Sequence, residues 1–169
     1  MSFIQVSDLQ KKNGIYIHNI TEGMDNYCYY ILEGTMEQHD RFLTELMKLG
    51  DPDDSYADFY YKRANASNLP MIKKHLSAEE GLKLDELIEE CHETEAMEEF
   101  RMVKLTKENL QLLLHISYKE LLFSSFYFTH IPCTVWSNYG GRFLLFIRKQ
   151  FHCDSILAIA KEIGLHIEQ

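Results

Sequence analysis

The first third of the chain carries apolar residues at helical spacing. Met24, Tyr27, Cys28, Ile31 and Leu32 recur at intervals of three and four residues, which predicts a helix over this segment. The same tyrosine-rich stretch also suits a strand, because aromatic and β-branched residues are enriched in strands. We take the helix as the prediction and keep the strand as its alternative.

Capping signals predict three further helices. Thr35 and Ser77 each stand three residues before a Gln or Glu, which is the form of a capping box at a helix start. The first of these helices is predicted over 36–49, and the second carries a narrow apolar stripe beneath an acidic outer face. Thr106 can cap a third helix, whose leucines keep helical spacing.

Residues 56–63 also follow a helical period. Tyr56, Phe59, Tyr60 and Arg63 fall on one face of a helix if the segment is helical. We therefore predict a helix here.

The period changes in the last third of the chain. Segments 123–130, 133–138 and 142–149 are rich in Phe, Tyr, Val, Ile and Thr, and residues 138–141 supply the Asn and Gly of a tight turn. These features predict a small antiparallel sheet with a hairpin.

One more helix is predicted near the end of the chain. Asp154 or Ser155 can cap it, and Gly164 can end it. Residues 165–168 then predict a short strand at the sheet edge.

Together these elements predict an α+β fold. A mainly helical N-terminal two-thirds would pack on a small antiparallel sheet formed by the C-terminal third. No Pro/Gly/Ser-rich linker and no repeat divides the chain, so residues 1–169 are expected to form a single domain.

Composition is that of an ordinary globular protein, with 46% hydrophobic and 25% charged residues. The first residues lack the cationic and apolar stretches of a secretory signal, and no apolar run is long enough to cross a bilayer. We therefore expect a soluble cytoplasmic protein without membrane association. In that compartment Cys28, Cys91, Cys133 and Cys153 are expected to be free thiols.

Negative charge is concentrated in one segment. The formal net charge is −9, and residues 77–100 hold ten acidic residues and one lysine. Such a surface repels nucleic acid, because affinity for it comes largely from Lys and Arg that neutralise phosphates. We expect no nucleic-acid partner. A solvated helix exterior and a docking surface for a basic protein both remain open.

Familiar catalytic and cofactor motifs are absent from the sequence. It contains no Gly-rich phosphate loop, no Rossmann fingerprint, no zinc-protease helix and no nucleophile elbow. We accordingly expect no cofactor and no bound metal, and a non-enzyme rather than an enzyme. Glu89, Glu90, Glu93 and Glu95 could attract a divalent cation, but nothing there follows the spacing of a calcium loop.

Four residues near the predicted hairpin are the best candidates for reactive groups. His130, Cys133, His152 and Cys153 carry ligand types that suit zinc, and a thiol beside an imidazole can act as a nucleophile. Adjacent strand residues point to opposite faces, so His152 and Cys153 would seldom bind the same ion. Buried or partly exposed packing residues are the alternative.

Mixtures of aromatic rings and cations form a second kind of candidate site. Trp136, Tyr139 and Arg142 surround the predicted turn. A second mixture lies on one segment and comprises Tyr56, Tyr60, Tyr61, Lys62 and Arg63. Such mixtures are enriched at binding hot spots and in pockets for planar ligands. Core packing with cations reaching to solvent is the alternative.

Three function hypotheses follow, of which the third is a subunit of a larger assembly whose aromatic surface is an oligomer interface. The first is a non-enzymatic acidic binding module, of the inhibitor, immunity or anti-defence type, that occludes a basic protein partner. Its charge would come from Glu86, Glu89, Glu90, Glu93 and Glu99. Trp136 or Tyr139 would add an aromatic anchor if that residue lies on the same face as these glutamates. The second is an enzyme or small-ligand sensor with a pocket between helices and sheet, drawing on His130, Cys133, Tyr139, Arg142 and His152.

Overall fold

An eight-stranded antiparallel sheet runs through the whole protein. The computed structural model describes residues 3–93 and 98–169, and in these ranges the chain forms an α+β fold. The strands are β1 (Phe3–Ile4), β2 (Cys28–Glu33), β3 (Ser55–Phe59), β4 (Arg101–Lys104), β5 (Ser125–Phe128), β6 (Cys133–Trp136), β7 (Arg142–Ile147) and β8 (His166–Glu168). Their order across the sheet is β1-β4-β3-β5-β6-β7-β2-β8, and every neighbouring pair is antiparallel.

Seven α-helices connect the strands within the described ranges. They are α1 (Val6–Lys11), α2 (Ile20–Asn26), α3 (Met36–Lys48), α4 (Leu69–Lys73), α5 (Ala78–His92), α6 (Lys107–Tyr118) and α7 (Asp154–Ile163). Short 3-10 turns at Pro52–Asp54 and Tyr139–Gly141 complete the connections.

The prediction of a small C-terminal sheet beneath a mainly helical N-terminal two-thirds is wrong. Strands β1 to β4 come from the first two-thirds of the chain and interleave with helices. Strands β1 and β4 escaped prediction because they are short, and β3 because burial on both faces removes the alternation of apolar and polar residues. The apolar residues of β2 also fit a helical period, so the strand is only the alternative prediction there.

The helix predicted over Met24 to Leu32 is also wrong. Helix α2 ends at Asn26, and Cys28–Glu33 forms β2 between β7 and β8. The strand alternative is therefore correct. Its tyrosines and isoleucine suit a strand with neighbours on both sides, and pairing along two edges outweighs the coincidental helical period.

The helix predicted over 56–63 is replaced by β3 and the turn after it. Every residue of β3 is buried, because Tyr56 and Asp58 point to one face of the sheet while Ala57 and Phe59 point to the other. A strand covered on both faces has no polar side, so its sequence imitates a buried helix.

The capping predictions are confirmed. Thr35 and Ser77 form complete capping boxes at the starts of α3 and α5, and Thr106 caps α6. The predicted hairpin of β6 and β7 and the edge strand β8 are also present. Helix α7 ends at Gly164 as predicted, with φ of 93°, but it begins at Asp154 without a side-chain cap.

The sheet is covered on both faces by different parts of the chain. Helices α3, α5, α6 and α7 pack on the first face, where the largest apolar cluster lies. The second face is covered by residues 5–26, whose Leu9, Ile15 and Ile17 pack against the strands. This cover is thinner than the helical layer, and it leaves the second face of β3, β5 and β6 partly open.

Among the described residues, no helix has both the length and the apolar character needed to cross a bilayer.

Candidate functional site

A cavity of about 490 Å³ opens over the second face of the sheet. Four segments that are distant in the sequence line it. They are residues 16–18 of the N-terminal cover, residues 58–72 around α4, residues 120–127 between α6 and β5, and residues 136–139 of the hairpin. The cavity is therefore a product of the tertiary fold.

The floor of the cavity is a row of three side chains on adjacent strands. Ala57 pairs with Phe126 and Ser125 pairs with Trp136, so Asp58, Ser125 and Trp136 lie side by side across β3, β5 and β6. Neighbouring strands are 4.7–4.9 Å apart, which separates the Asp58 and Trp136 backbones by about 10 Å. Because the small Ser125 stands between two larger residues, the row forms a notch.

Asp58 is a buried carboxylate held by neutral groups. Its exposed fraction is 3%. The Ser125 backbone N–H donates to Oδ1 at 2.6 Å, and the Tyr127 hydroxyl donates to Oδ2 at 2.8 Å. Burial raises the pKa of Asp58 to about 6, although these hydrogen bonds oppose the rise. Asp58 is thus largely ionised at neutral pH, in a site where its charge is poorly solvated.

Tyrosine rings form the wall above Asp58. The Tyr16 ring lies nearly parallel to the rings of Tyr127 and Phe100, with centroids 6.2 and 6.1 Å away. The Tyr60 ring lies 5.2 Å from Phe100. Burial, reinforced by the charge of Asp58, raises the pKa of Tyr60 to about 12 and also raises that of Tyr16. Both remain neutral phenols that present ring faces and hydroxyls.

Two buried polar atoms belong to side chains that line the cavity and have no hydrogen-bond partner among the described residues. They are the Ser124 hydroxyl oxygen and the Trp136 indole Nε1. Ser124 as a whole is almost completely buried. Leaving such groups unpaired costs about 1–3 kcal/mol each. Both atoms are almost completely shielded by the protein, so an occupant of the cavity reaches them only after a side-chain movement.

The rim carries charges of both signs. The Arg63 guanidinium stacks 4.8 Å above the Tyr60 ring and lies 3.7 Å from the Glu99 carboxylate. Glu120 accepts a hydrogen bond from the Gly140 backbone N–H. The rim arginine is therefore already engaged by an acid, whereas the carboxylate at the floor is not engaged by a described cation.

Two residues around the predicted turn lie at this cavity, in addition to Tyr60 and Arg63 of the second aromatic–cation mixture. The half-buried Trp136 ring packs edge-on against Phe146 and forms part of the floor, and Tyr139 stands 65% exposed at the rim against Phe123. Arg142 lies elsewhere. It pairs with Glu168 and Glu33 and lines a smaller neighbouring groove, which shares Tyr139 with the cavity.

The predicted reactive set does not converge. His130 and His152 are exposed, Cys153 is half-buried near the Tyr30 hydroxyl, and Cys133 is completely buried. Burial raises the pKa of Cys133 far above its usual range, which disfavours the thiolate that a nucleophile needs. No group of three metal-ligating residues occurs in the described parts of the chain.

The predicted acidic set is divided, and its members on or next to α5 lie on the other side of the sheet from Trp136. Glu86, Glu89 and Glu93 are exposed on or next to α5, which packs on the first face of the sheet. Glu90 is half-buried, and Glu99 is exposed beside Arg63. Trp136 therefore cannot anchor a partner that docks on α5. Glu95 lies outside the described residues.

Sequence reasoning missed the residues at the centre of the cavity, chiefly Asp58, Ser124 and Tyr127. Asp58 gave one usable signal, because a lone acid inside the apolar run of residues 55–59 is unusual for a buried strand. That signal was hidden once the segment was assigned to a helix.

Comparison with protein-family models, curated proteins and solved structures finds no match to this chain.

Proposed function

We propose that this protein binds a small organic molecule in the cavity above Asp58, Ser125 and Trp136. The supporting observation is the buried carboxylate of Asp58 at the floor of the cavity, which no described cation neutralises. Two further polar groups without a described partner, the Ser124 hydroxyl and the Trp136 indole N–H, belong to side chains that line the same cavity. A ligand would meet these two groups after a small side-chain movement.

Size and composition support the same proposal. A volume of about 490 Å³ lies within the range of small-molecule sites, which are typically lined by aromatic rings and a few placed polar groups. Tyr16, Tyr60, Trp136 and Tyr139 provide the rings. In this proposal Trp136 and Tyr139, which the sequence singled out, belong to a ligand pocket. The pocket lies on the second face of the sheet, whereas the sequence predicted one between the sheet and the helices.

The test uses the only tryptophan in the chain as a reporter. A library of small metabolites is screened for changes in Trp136 fluorescence and in melting temperature. We expect at least one compound to change both signals. A compound that raises the melting temperature without changing Trp136 binds elsewhere, and a library with no hits on either signal would contradict the proposal.

A matched pair of serine variants separates binding from folding. The Ser137 hydroxyl donates to the Ser124 carbonyl at 2.6 Å, so Ser137→Ala should cost about 1–2 kcal/mol of unfolding free energy. The Ser124 hydroxyl has no described partner, so Ser124→Ala should leave stability unchanged or improved while weakening the ligand. A destabilised Ser124→Ala variant with unchanged ligand affinity would contradict the proposed role.

A second candidate function is the docking of a basic protein on α5. Leu82, Glu86, Glu89 and Glu93 follow helical spacing along one exposed face, and Leu82 is 65% exposed. Glu86, Glu89 and Glu93 form no ion pair with any residue that the structure describes. An acidic stripe with an apolar end suits electrostatic steering of a basic partner.

Charge reversal tests this second candidate. The triple variant Glu86→Lys, Glu89→Lys and Glu93→Lys should lose partners captured from a source-cell lysate at low salt. The control variant Asp25→Lys, Glu37→Lys and Glu162→Lys has the same net charge and reverses exposed acids elsewhere. Equal capture by both variants would contradict docking on α5.

A further inference from the structure

We infer that the ligand of this cavity is a compact organic ammonium ion with an apolar or aromatic body, bound at Asp58 beneath the tyrosine rings. This inference rests on the proposed function, because it names the chemistry of the molecule that the cavity accepts.

The charge at the floor favours a cationic ligand. Asp58 lies there, and its hydrogen-bond donors, among them the Ser125 N–H and the Tyr127 hydroxyl, are neutral. An anionic ligand would have to lose its hydration beside this carboxylate, whereas a cationic ligand would neutralise it. The cation on the rim, Arg63, is exposed and lies close to Glu99, so it offsets little of the charge at the floor.

Position and partner chemistry favour the same ligand. Asp58 lines the cavity, and its carboxylate accepts hydrogen bonds from neutral groups, among them the Ser125 N–H and hydroxyl and the Tyr127 hydroxyl. An ammonium group in the cavity would add a charge-assisted hydrogen bond, which none of the described residues provides.

The ring wall also favours a cationic ligand. Faces of aromatic rings attract cations, and the attraction grows when the site is shielded from water. Tyr16, Tyr60 and Tyr127 surround Asp58, and the Arg63 guanidinium already uses one of these faces at the rim. A carboxylate floor beneath phenol rings is the combination that distinguishes an organic ammonium ion from a fully hydrated metal ion or a neutral ligand.

The experiment compares three probes that share a phenyl ring and differ in charge: phenethylammonium, 2-phenylethanol and 3-phenylpropionate. Protein labelled with 5-fluorotryptophan gives a single fluorine resonance from Trp136, because the chain has one tryptophan. Each probe is titrated to its solubility limit. We expect phenethylammonium to bind at least tenfold more tightly than either of the others.

Two variants locate the charge selectivity. In Asp58→Asn, the ratio of the affinity for phenethylammonium to the affinity for 2-phenylethanol should fall at least tenfold. The affinity for 2-phenylethanol itself should stay unchanged. Glu120→Gln removes an exposed carboxylate from the same cavity and should change the preference by less than threefold. If Asp58→Asn fails to fold, the three-probe comparison in the wild-type protein still decides the question.

The outcomes separate the inference from the proposed function. If the fluorine resonance responds to 2-phenylethanol or 3-phenylpropionate as strongly as to phenethylammonium, or more strongly, the inference is overturned. That result still supports a ligand pocket. An unchanged preference in Asp58→Asn also overturns the inference. If the fluorine resonance of Trp136 responds to none of the three probes, both the inference and the proposed ligand pocket are contradicted.

Discussion

Asp58 carries a buried negative charge at the floor of the cavity. A carboxylate buried between Ser125 and Tyr127 has enough hydrogen bonds to remain ionised near neutral pH, but too few to bring its pKa back to the ordinary value of 3.8. The fold thus carries a destabilising charge at the floor of a cavity. Such a group is typical of a functional site, where stability is lower than packing alone would allow.

Asp58 makes stability depend on pH. Its pKa is about 6 in the folded protein and 3.8 as an ordinary value, so the folded state binds more protons between these values. The unfolding free energy should therefore fall as pH rises from about 4 to about 6, by about 3 kcal/mol. In Asp58→Asn this dependence should be missing. Urea unfolding of both proteins at pH 4 and pH 7 measures the difference, and parallel profiles would contradict the assignment.

Elements with local signals were predictable, and elements defined by tertiary pairing were not. Capping boxes at Thr35 and Ser77 and the turn at 138–141 are local, and each was correctly predicted. Strand β3 was assigned to a helix because cover on both faces removes the alternation that marks a strand, and β2 because its apolar residues also fit a helical period. The strand order depends on contacts that no local pattern contains.

The hairpin between β6 and β7 carries Tyr139 to the rim of the cavity, and its two glycines differ in what surrounds them. Gly140 and Gly141 both have positive φ, but an added Cβ at Gly140 meets nothing within 4 Å, whereas one at Gly141 would lie 2.7 Å from the Gly34 carbonyl oxygen. Gly141 therefore needs both the left-handed conformation and the absence of a side chain.

We expect unequal costs for alanine at these two positions. Gly140→Ala should lower the unfolding free energy by about 1–2 kcal/mol, the cost of the left-handed conformation alone. Gly141→Ala should cost clearly more, because the backbone of Gly34 cannot move aside without disturbing its hydrogen bond to Gly141. Thermal unfolding of the two variants provides the comparison. Equal destabilisation would show that the close approach to Gly34 is relaxed at little cost.

At the scale of the whole molecule, two candidate surfaces lie on opposite faces of one sheet. The acidic helix α5 packs on the first face, and the cavity opens on the second. The charge run of α5 could be found from sequence because it is contiguous. The cavity could not, because its lining runs from Tyr16 to Tyr139 and depends on how residues 5–26 fold back over the sheet.

The most direct test of the ligand pocket is a map of backbone amide shifts in nitrogen-15 NMR spectra during titration with phenethylammonium. The account predicts that the shifts concentrate at residues 124–127 and 136–139, next to the cavity, while the amides of α5 stay in place. Shifts confined to α5, or spread evenly over the surface, would contradict it.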